Sequence, residues 1–220
     1  MSGKNSSRTT IIGLTGGIAS GKNFVAEIFA KNGAAVFDAD QEVHNLLANN
    51  SYVISQVRKN FPNCFVDQKI NRQILAKIVF ANQKKLRILE KILHPQVRKS
   101  YQEFLKKLAA KKVKIAILNI PLLLESKAYK CDKIVAIIAP KSVQKKRFLA
   151  RAQKNKQRNK QKNKAKNSAI EKENLIKKFE QIHQKQISNI ERKLHADFII
   201  NSAISKVDTI KQVQKILYQI

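Results

Sequence analysis

A glycine-rich segment near the beginning of the chain has the residue types and spacing of a phosphate-binding loop. Gly16–Lys22 (GGIASGK) supplies the G-x-x-x-x-G-K part of the pattern, in which backbone N–H groups surround phosphate oxygens and the lysine reaches the β- and γ-phosphates. The next position normally carries a Ser or Thr hydroxyl that binds Mg²⁺, but here it is Asn23. Because an amide oxygen lies one bond further out and Mg²⁺ requires near-octahedral geometry, we expect metal binding at Asn23 to be weaker or mediated by water.

Two carboxylates follow the next apolar segment. Asp38 and Asp40 are separated by Ala39, so in an extended segment both side chains point the same way. At the carboxyl edge of a parallel sheet, where ligands bind, such a pair would orient a hydroxyl nucleophile and hold metal-bound water. The alternative is that Asp40 is the N-cap of the helix predicted for QEVHNLL and has no chemical role.

The segments around these residues predict the elements that position them. Thr9–Leu14 and Ala34–Phe37 are short apolar runs typical of buried strands, and residues 23–33 between them have apolar positions at helical spacing. Strand, glycine loop, helix and strand form a βαβ unit, which is the setting a phosphate-binding loop requires.

The remaining chain predicts an α/β fold with a five-stranded parallel sheet between layers of helices. Residues 41–110 are mainly helical in pattern and form an insertion after the second strand. Three further strands and a closing helix complete the prediction. They are Val113–Leu118, Lys133–Ile138, Asp197–Ile200 and the helix Val207–Tyr218.

The charge of the chain favours polyanionic partners. It has 44 Lys and Arg against 15 Asp and Glu, a net charge of +29, and residues 153–168 (QKNKQRNKQKNKAKNS) are a basic low-complexity run. This run is either mobile or an exposed extension of a helix, and the excess charge either selects a partner or simply covers solvated faces. A basic nucleic-acid-binding protein is therefore an alternative class, although the run has no aromatic residues for stacking and we find no motif that predicts a specific nucleic acid.

The location of the protein is predicted from its cysteines and apolar segments. Two cysteines do not make a disulfide framework and are typical of a reducing compartment. The first ten residues are polar, and the longest apolar run is interrupted by Asn119 and Pro121. We therefore expect a cytoplasmic protein without a membrane segment, as a monomer or weak homo-oligomer.

The order of the motifs resembles that of the dephospho-coenzyme A kinases. GLTGGIASGK and DAD are followed by a His94-Pro95 pair in a helical region, then by ILNIPLLLES and HADFIINSA, the last resembling the family's ADFVIDN. Between these two segments, Gln144, Arg147 and Arg151 match a Q-x-x-R-x-x-x-R helix. The matches run from about residue 10 to residue 203 in the family's order.

The resemblance implies transfer of the γ-phosphoryl group of ATP to the 3′-hydroxyl of dephospho-CoA, the last step of coenzyme A synthesis, with ATP and Mg²⁺ as cofactors. It implies a P-loop fold like that of nucleoside-monophosphate kinases. The domains would be a nucleotide-binding core (residues 9–40, 111–150 and 195–220), an acceptor-substrate domain (41–110) and a lid (151–194).

The resemblance also implies roles for individual residues. Asp40 would be the general base on the 3′-hydroxyl, and Asp38 would support that hydroxyl and hold the metal through water. The positions that would contact ATP are Gly17, Ile18, Ala19, Ser20, Gly21, Lys22, Asn23, Phe24, Arg147 and Arg151. The positions that would bind the acceptor are Asp40, His44, His94, Pro121, Leu122, Leu123 and Glu125. Two alternatives stay open, because His44 fits an exposed helix position and His94-Pro95 fits the start of a helix.

Two departures from the family pattern affect the ATP side. Asn23-Phe24 replaces the usual Ser-Thr, and Ile182 stands where the lid pattern R-[IM]-x-x-Q, aligned on Gln186, has its arginine. Lys178 or Lys185 would supply a point charge there, without the bidentate fork of arginine. An active but slow kinase is the main hypothesis. A homologue that binds nucleotide without turnover, and a kinase of the same fold for another small molecule, are the alternatives.

Overall fold

The computed structural model of the protein describes residues 8–126, 129–158 and 168–220. The chain divides into two compact units. The first, which we call the helical unit, contains Phe37–Val113. The other, which we call the sheet unit, contains Thr10–Val36 together with Lys114–Ile220.

A five-stranded sheet with the strand order β2-β5-β1-β6-β7 is the framework of the fold. Its strands are β1 (Thr10–Gly16), β2 (Ala35–Asp38), β5 (Ile115–Asn119), β6 (Lys133–Ile138) and β7 (Phe198–Asn201). The pairings of β1 with β5, β1 with β6, and β6 with β7 are parallel, and Leu14 lies in register with both Asn119 and Val135. The predicted α/β fold with a parallel sheet is therefore confirmed.

Helices flank this sheet because each has one apolar face. They are α1 (Lys22–Lys31), α6 (Leu123–Ser126), α7 (Lys141–Arg158), α8 (Ser168–Gln184), α9 (Asn189–Leu194) and α10 (Lys206–Gln219). Val25 and Phe29 of α1 and Val213 of α10 are fully buried in one cluster with Leu14 and Ile137 of the sheet. Helix α7 continues into the predicted basic segment as far as Arg158, and residues 159–167 of that segment lie outside the described residues.

The unit that contains Phe37–Val113 is mainly helical, as the apolar spacing predicts. Its elements are α2 (Ala39–Asn49), α3 (Ser51–Asn60), a 3₁₀ turn (Pro62–Cys64), β3 (Phe65–Val66), β4 (Lys69–Ile70), α4 (Arg72–Phe80) and α5 (Gln83–Lys111). Asparagines are the N-caps of three of its helices. The side-chain oxygens of Asn50, Asn71 and Asn82 accept hydrogen bonds from the first free N–H groups of α3, α4 and α5.

Proline 95 lies inside α5, so the prediction that His94-Pro95 begins a helix is wrong. Helix α5 begins instead at its Asn82 cap and continues for 29 residues. Pro95 is exposed, and Leu93 and Val97 are buried on either side of it, so the apolar face of α5 continues past the proline. One missing backbone hydrogen bond therefore does not end the helix.

Within the described residues, we find no helix of the length and apolar character that crossing a membrane requires.

Candidate active site

The predicted phosphate-binding loop connects β1 to α1, and its backbone geometry requires glycine. Gly21 has φ 97° and precedes the first residue of α1. A Cβ atom on Gly16 would lie 2.9 Å from the backbone oxygen of Ile137, and one on Gly17 would lie 3.1 Å from Oε1 of Gln144. The glycines therefore let the loop lie close to the end of β6 and to α7, as its pattern predicts.

Two glutamines and an asparagine from α7 and from the chain after α8 lie at this loop and at the end of β6. The backbone N–H of Ile18 donates a 2.8 Å hydrogen bond to Oε1 of Gln186. Gln144 is buried and donates through Nε2 to the Ala139 oxygen at 2.8 Å, and Asn189 donates to the same oxygen at 3.0 Å. The two glutamines that the motifs identify therefore contact or face the phosphate-binding loop.

Arg147 binds the loop backbone. Its Nη1 donates to the Ser20 oxygen at 3.3 Å and to Oγ of Ser202 at 3.2 Å, and its Nη2 donates to the Ser202 oxygen. This arginine therefore fixes the loop to the residue after β7 and places a positive charge beside it. Arg151, predicted with it as an ATP contact, is exposed one helical turn further along α7.

The first two residues of α1 are bound to the end of β5. Nζ of Lys22 donates to the oxygen of Ile120 at 3.0 Å, and Nδ2 of Asn119 donates to Oδ1 of Asn23 at 3.2 Å. Asn23 is exposed, whereas Asn119 has 3% of its surface exposed. Phe24, the other departure from the family pattern, packs against the buried cluster of the sheet unit.

These contacts test whether the side chains at the start of α1 fit a bound Mg²⁺. In P-loop proteins the metal is held by a Ser or Thr hydroxyl and by an aspartate. Here Asn23 and Asn119, two neutral amides that hydrogen-bond each other, meet in the sheet unit. The described ranges of the chain contain no group of three or more His, Cys, Asp or Glu placed to hold a metal ion. The side chains at this position therefore do not fit a metal held by the protein, and we assign no catalytic step to one.

Arg192 is a buried residue beside the strand of the phosphate-binding loop that no motif in the sequence indicates. It is 1% exposed, its Nη1 donates to Oγ1 of Thr15 in β1, and its Nη2 lies 3.1 Å from Oε1 of Glu125. Burial lowers the pKa of the Arg192 guanidinium, and the Glu125 carboxylate opposes that shift. The backbone N–H of Ile187 also donates to Glu125, at 3.5 Å. Glu125 therefore joins α6 to Arg192 of α9, and Arg192 in turn bonds β1, the strand that precedes the phosphate-binding loop. The predicted role of Glu125 in lining the acceptor pocket stays a prediction.

The other residues of the PLLLE stretch divide between packing and exposure. Pro121 and Leu122 are exposed, and Leu122 has φ 54°. Leu123 is 4% exposed, and a Cβ atom on Gly13 would lie 2.5 Å from its side chain. Leu123 therefore packs on β1, while Pro121 and Leu122 keep the exposure that an acceptor contact requires.

We expect Arg192→Met to destabilise the protein by about 3–5 kcal/mol, because it leaves the Glu125 carboxylate partly buried without its charged partner. The free energy of unfolding in urea measures this effect. Lys193→Met is the matched control, because Lys193 is the next residue of α9 and is exposed. Equal stability of the two variants would contradict a role for the buried pair.

The predicted catalytic carboxylates lie at the beginning of α2 in the helical unit. Asp38 is the N-cap, and its Oδ1 accepts a 2.9 Å hydrogen bond from the N–H of Gln41. Asp40 is the second residue of α2 and is exposed. The predicted extended arrangement of the two aspartates is therefore wrong, and so is the alternative that Asp40 is the cap, because β2 ends at Asp38 and α2 begins at Ala39, two residues earlier than that alternative places it.

His44 lies one helical turn after Asp40 on the same face of α2, and both are exposed. His44 also lines an open cavity of about 340 Å³ in the helical unit, together with Gln41, Asn45 and Arg72. His94 is exposed on α5 and does not line this cavity. The structure therefore groups His44 with polar residues of α2 and with Arg72, where α4 begins.

The fold and the loop together define a class of protein. A parallel sheet whose first strand leads through a glycine-rich loop to a helix starting with Lys22 is a P-loop fold of the kind that binds nucleoside phosphates. The chain belongs to the dephospho-CoA kinase family, whose model matches residues 10–179. The resemblance stated from the motifs is therefore confirmed, and the alternative of a nucleic-acid-binding protein is not favoured.

Individual relatives agree over nearly the whole chain. The chain is 36% identical over 208 residues to the dephospho-CoA kinase of Bartonella quintana, covering 94% of this chain and 96% of the relative. It is 37% identical over 208 residues to that of Wolbachia pipientis wMel, with coverage of 94% and 96%.

Two solved structures have the same fold. Dephospho-CoA kinase from Campylobacter jejuni superposes with a TM-score of 0.60 at 27% identity, covering 96% of this chain and 97% of that one. TT1252 from Thermus thermophilus superposes with a TM-score of 0.72 at 24% identity and the same coverage, a likeness in fold alone.

Proposed function

We propose that the protein transfers the γ-phosphoryl group of ATP to the 3′-hydroxyl of dephospho-CoA, the last step of coenzyme A synthesis. The observation that carries this proposal is the loop between β1 and α1, with Lys22 at its end, in a chain whose relatives are named dephospho-CoA kinases. Phosphoryl transfer depends mainly on positioning and on neutralising charge, and these are what such a loop supplies.

The nucleotide is bound by the sheet unit in this proposal. The loop N–H groups and the positive end of α1 surround its phosphates, and Lys22 exchanges its bond to the Ile120 oxygen for the β- and γ-phosphates. Arg147 is bound to the Ser20 oxygen and therefore places a positive charge beside the loop. Arg151 adds a second positive charge one turn further along α7. Mg²⁺ is expected to accompany ATP as its counter-ion.

The acceptor is bound by the helical unit in this proposal. Asp40, exposed at the beginning of α2, accepts the proton of the attacking 3′-hydroxyl, and Asp38 fixes the helix start that orients it. The cavity beside His44 takes the acceptor, and the Arg72 that lines it supplies positive charge for an acceptor that carries phosphate groups. Pro121 and Leu122 are proposed as further acceptor contacts because they are exposed.

The test is transfer of labelled phosphate from γ-labelled ATP by the purified protein, with dephospho-CoA as acceptor and coenzyme A identified as the product. We expect transfer to dephospho-CoA and little transfer to a panel of nucleosides, nucleoside monophosphates and shikimate. Transfer to a member of that panel instead would assign another acceptor. Tight binding of ATP without any transfer would favour the homologue that lacks turnover.

The two free cysteines support a cytoplasmic location, because Cys64 is buried and Cys131 is partly buried as thiols. Burial, with a smaller contribution from Asp132, raises the pKa of Cys131 to about 11, so this thiol is protonated and unreactive at neutral pH. We further propose that the protein acts as a monomer or weak homo-oligomer.

A further inference from the structure

The start of α1 is joined to the end of β5 by two hydrogen bonds from neighbouring residues. Lys22 bonds Ile120 at 3.0 Å, and Asn23 bonds Asn119 at 3.2 Å. Asn119 is the last residue of β5 and lies in parallel register with Leu14, two residues before the phosphate-binding loop. The position is therefore fixed by the sheet and not by a surface loop. We call the hydrogen-bonded pair Asn23 and Asn119 the amide clasp.

The amide clasp stands where a P-loop protein holds its metal. The usual ligands there are the hydroxyl of a Ser or Thr and the carboxylate of an Asp, and the carboxylate contributes a negative charge. The clasp contributes no charge, and the oxygen of Asn23 already accepts from the amide nitrogen of Asn119. Mg²⁺ requires near-ideal octahedral geometry, so a longer side chain held in another hydrogen bond is a poor ligand.

Because the clasp has amides in place of a carboxylate, it also affects how strongly an anionic ligand binds. ATP without a metal carries more negative charge than its Mg²⁺ complex, and an aspartate beside it would repel the free nucleotide. The clasp does not repel it, and Lys22, Arg147 and the N-terminus of α1 remain to bind the phosphates.

We propose that the amide clasp replaces a metal site held by the protein, so that this chain binds ATP with an affinity nearly independent of Mg²⁺. The proposal rests on the nucleotide site of the proposed function. It concerns how ATP is held, and it leaves open which metal ions take part in the phosphoryl transfer itself.

The test compares the dissociation constant of ATP, measured by calorimetry without acceptor, in excess Mg²⁺ and in excess EDTA. We expect the two constants of the wild-type protein to differ by less than about fivefold, which is about 1 kcal/mol. The double variant Asn23→Ser/Asn119→Asp restores a hydroxyl and a carboxylate, so its affinity should fall in EDTA and recover with Mg²⁺ by about tenfold or more. Asn23→Ala/Asn119→Ala is the matched control, because it removes the clasp without adding a ligand and should stay insensitive to Mg²⁺.

A wild-type ratio above about fivefold overturns the proposal. If Asp38→Asn then removed that dependence, the metal would be assigned to Asp38. A double variant that folds but gains no dependence also overturns it. If the double variant does not fold, the wild-type ratio and the single variant Asn119→Asp decide. Absence of ATP binding in both conditions would reject the nucleotide site and hence the proposed function, whereas strong Mg²⁺ dependence with transfer to dephospho-CoA would reject the clasp alone.

Discussion

Asp40→Asn is expected to lower the turnover number by ~10²–10⁴, the usual contribution of a positioned general base. The amide has the shape of the carboxylate but does not accept the proton of the 3′-hydroxyl. Asp40 is exposed at the beginning of α2, so its replacement loses only the small favourable interaction of an anion with a helix N-terminus. The affinity for ATP should be unchanged, which separates loss of the base from loss of the fold.

Glu42→Gln is the matched control for Asp40→Asn. Glu42 is the other acidic residue in the first turn of α2, so the variant removes the same charge from the same helix end. It should keep turnover within about threefold, since it lacks the role proposed for Asp40. A turnover of Asp40→Asn equal to that of the control would remove Asp40 as the base and would point to His44 on the same face.

Lys22→Ala is expected to lower turnover by ~10²–10³, the typical loss when one electrostatic contact to the transition state is removed. Charge that develops on the transferred phosphoryl group would then lose the one lysine contact that the loop supplies, and the backbone N–H groups and Arg147 would remain. The affinity for ATP should also fall. Steady-state kinetics and calorimetry with ATP measure the two effects separately.

The control for Lys22→Ala is Lys31→Ala, at the exposed end of the same helix. It removes one positive charge from α1 and should leave both turnover and affinity unchanged. With a net charge of +29, a general electrostatic attraction would respond equally to either lysine. Equal losses in the two variants would therefore contradict a specific phosphate contact at Lys22.

The strands that hold the site were predictable because buried parallel strands have continuous apolar runs. The run at Lys133–Ile138 matches β6 at both ends. The glycine-rich loop was predictable because its motif places glycines where the backbone needs a positive φ or a close approach, and Gly21 has a positive φ. Apolar runs therefore predict the strands of the sheet, and the glycine motif predicts the phosphate-binding loop.

Helix α2 begins two residues earlier than its sequence pattern predicts. Asp38 and Asp40 are both good capping residues, and apolar spacing does not say which of them ends the strand. The structure decides for Asp38, whose carboxylate accepts from Gln41. Sequence patterns predict that a helix or strand is present better than they predict where it ends. Whether Asp38 and Asp40 point the same way depends on where β2 ends and α2 begins.

Two further features had weak sequence signals. The hairpin of β3 and β4 turns at Asp67 and Gln68, both with positive φ and neither a glycine, so no turn signal marks it. Arg192 is one of 44 basic residues, and only the folded chain brings it to Glu125, 67 positions earlier. A buried ion pair between distant residues leaves no local pattern.

The hydrogen bond from Ile18 to Gln186 would make this glutamine a competitor of a nucleotide bound at the loop. A backbone N–H has a single hydrogen, and in this structure it is directed to the Gln186 side chain at 2.8 Å. A phosphate oxygen that takes this hydrogen displaces the glutamine, so occupancy of the loop and release of this contact are one equilibrium. Binding of a nucleotide at the loop would therefore change the contacts of the segment between α8 and α9, because Ile18 would exchange one hydrogen-bond acceptor for another.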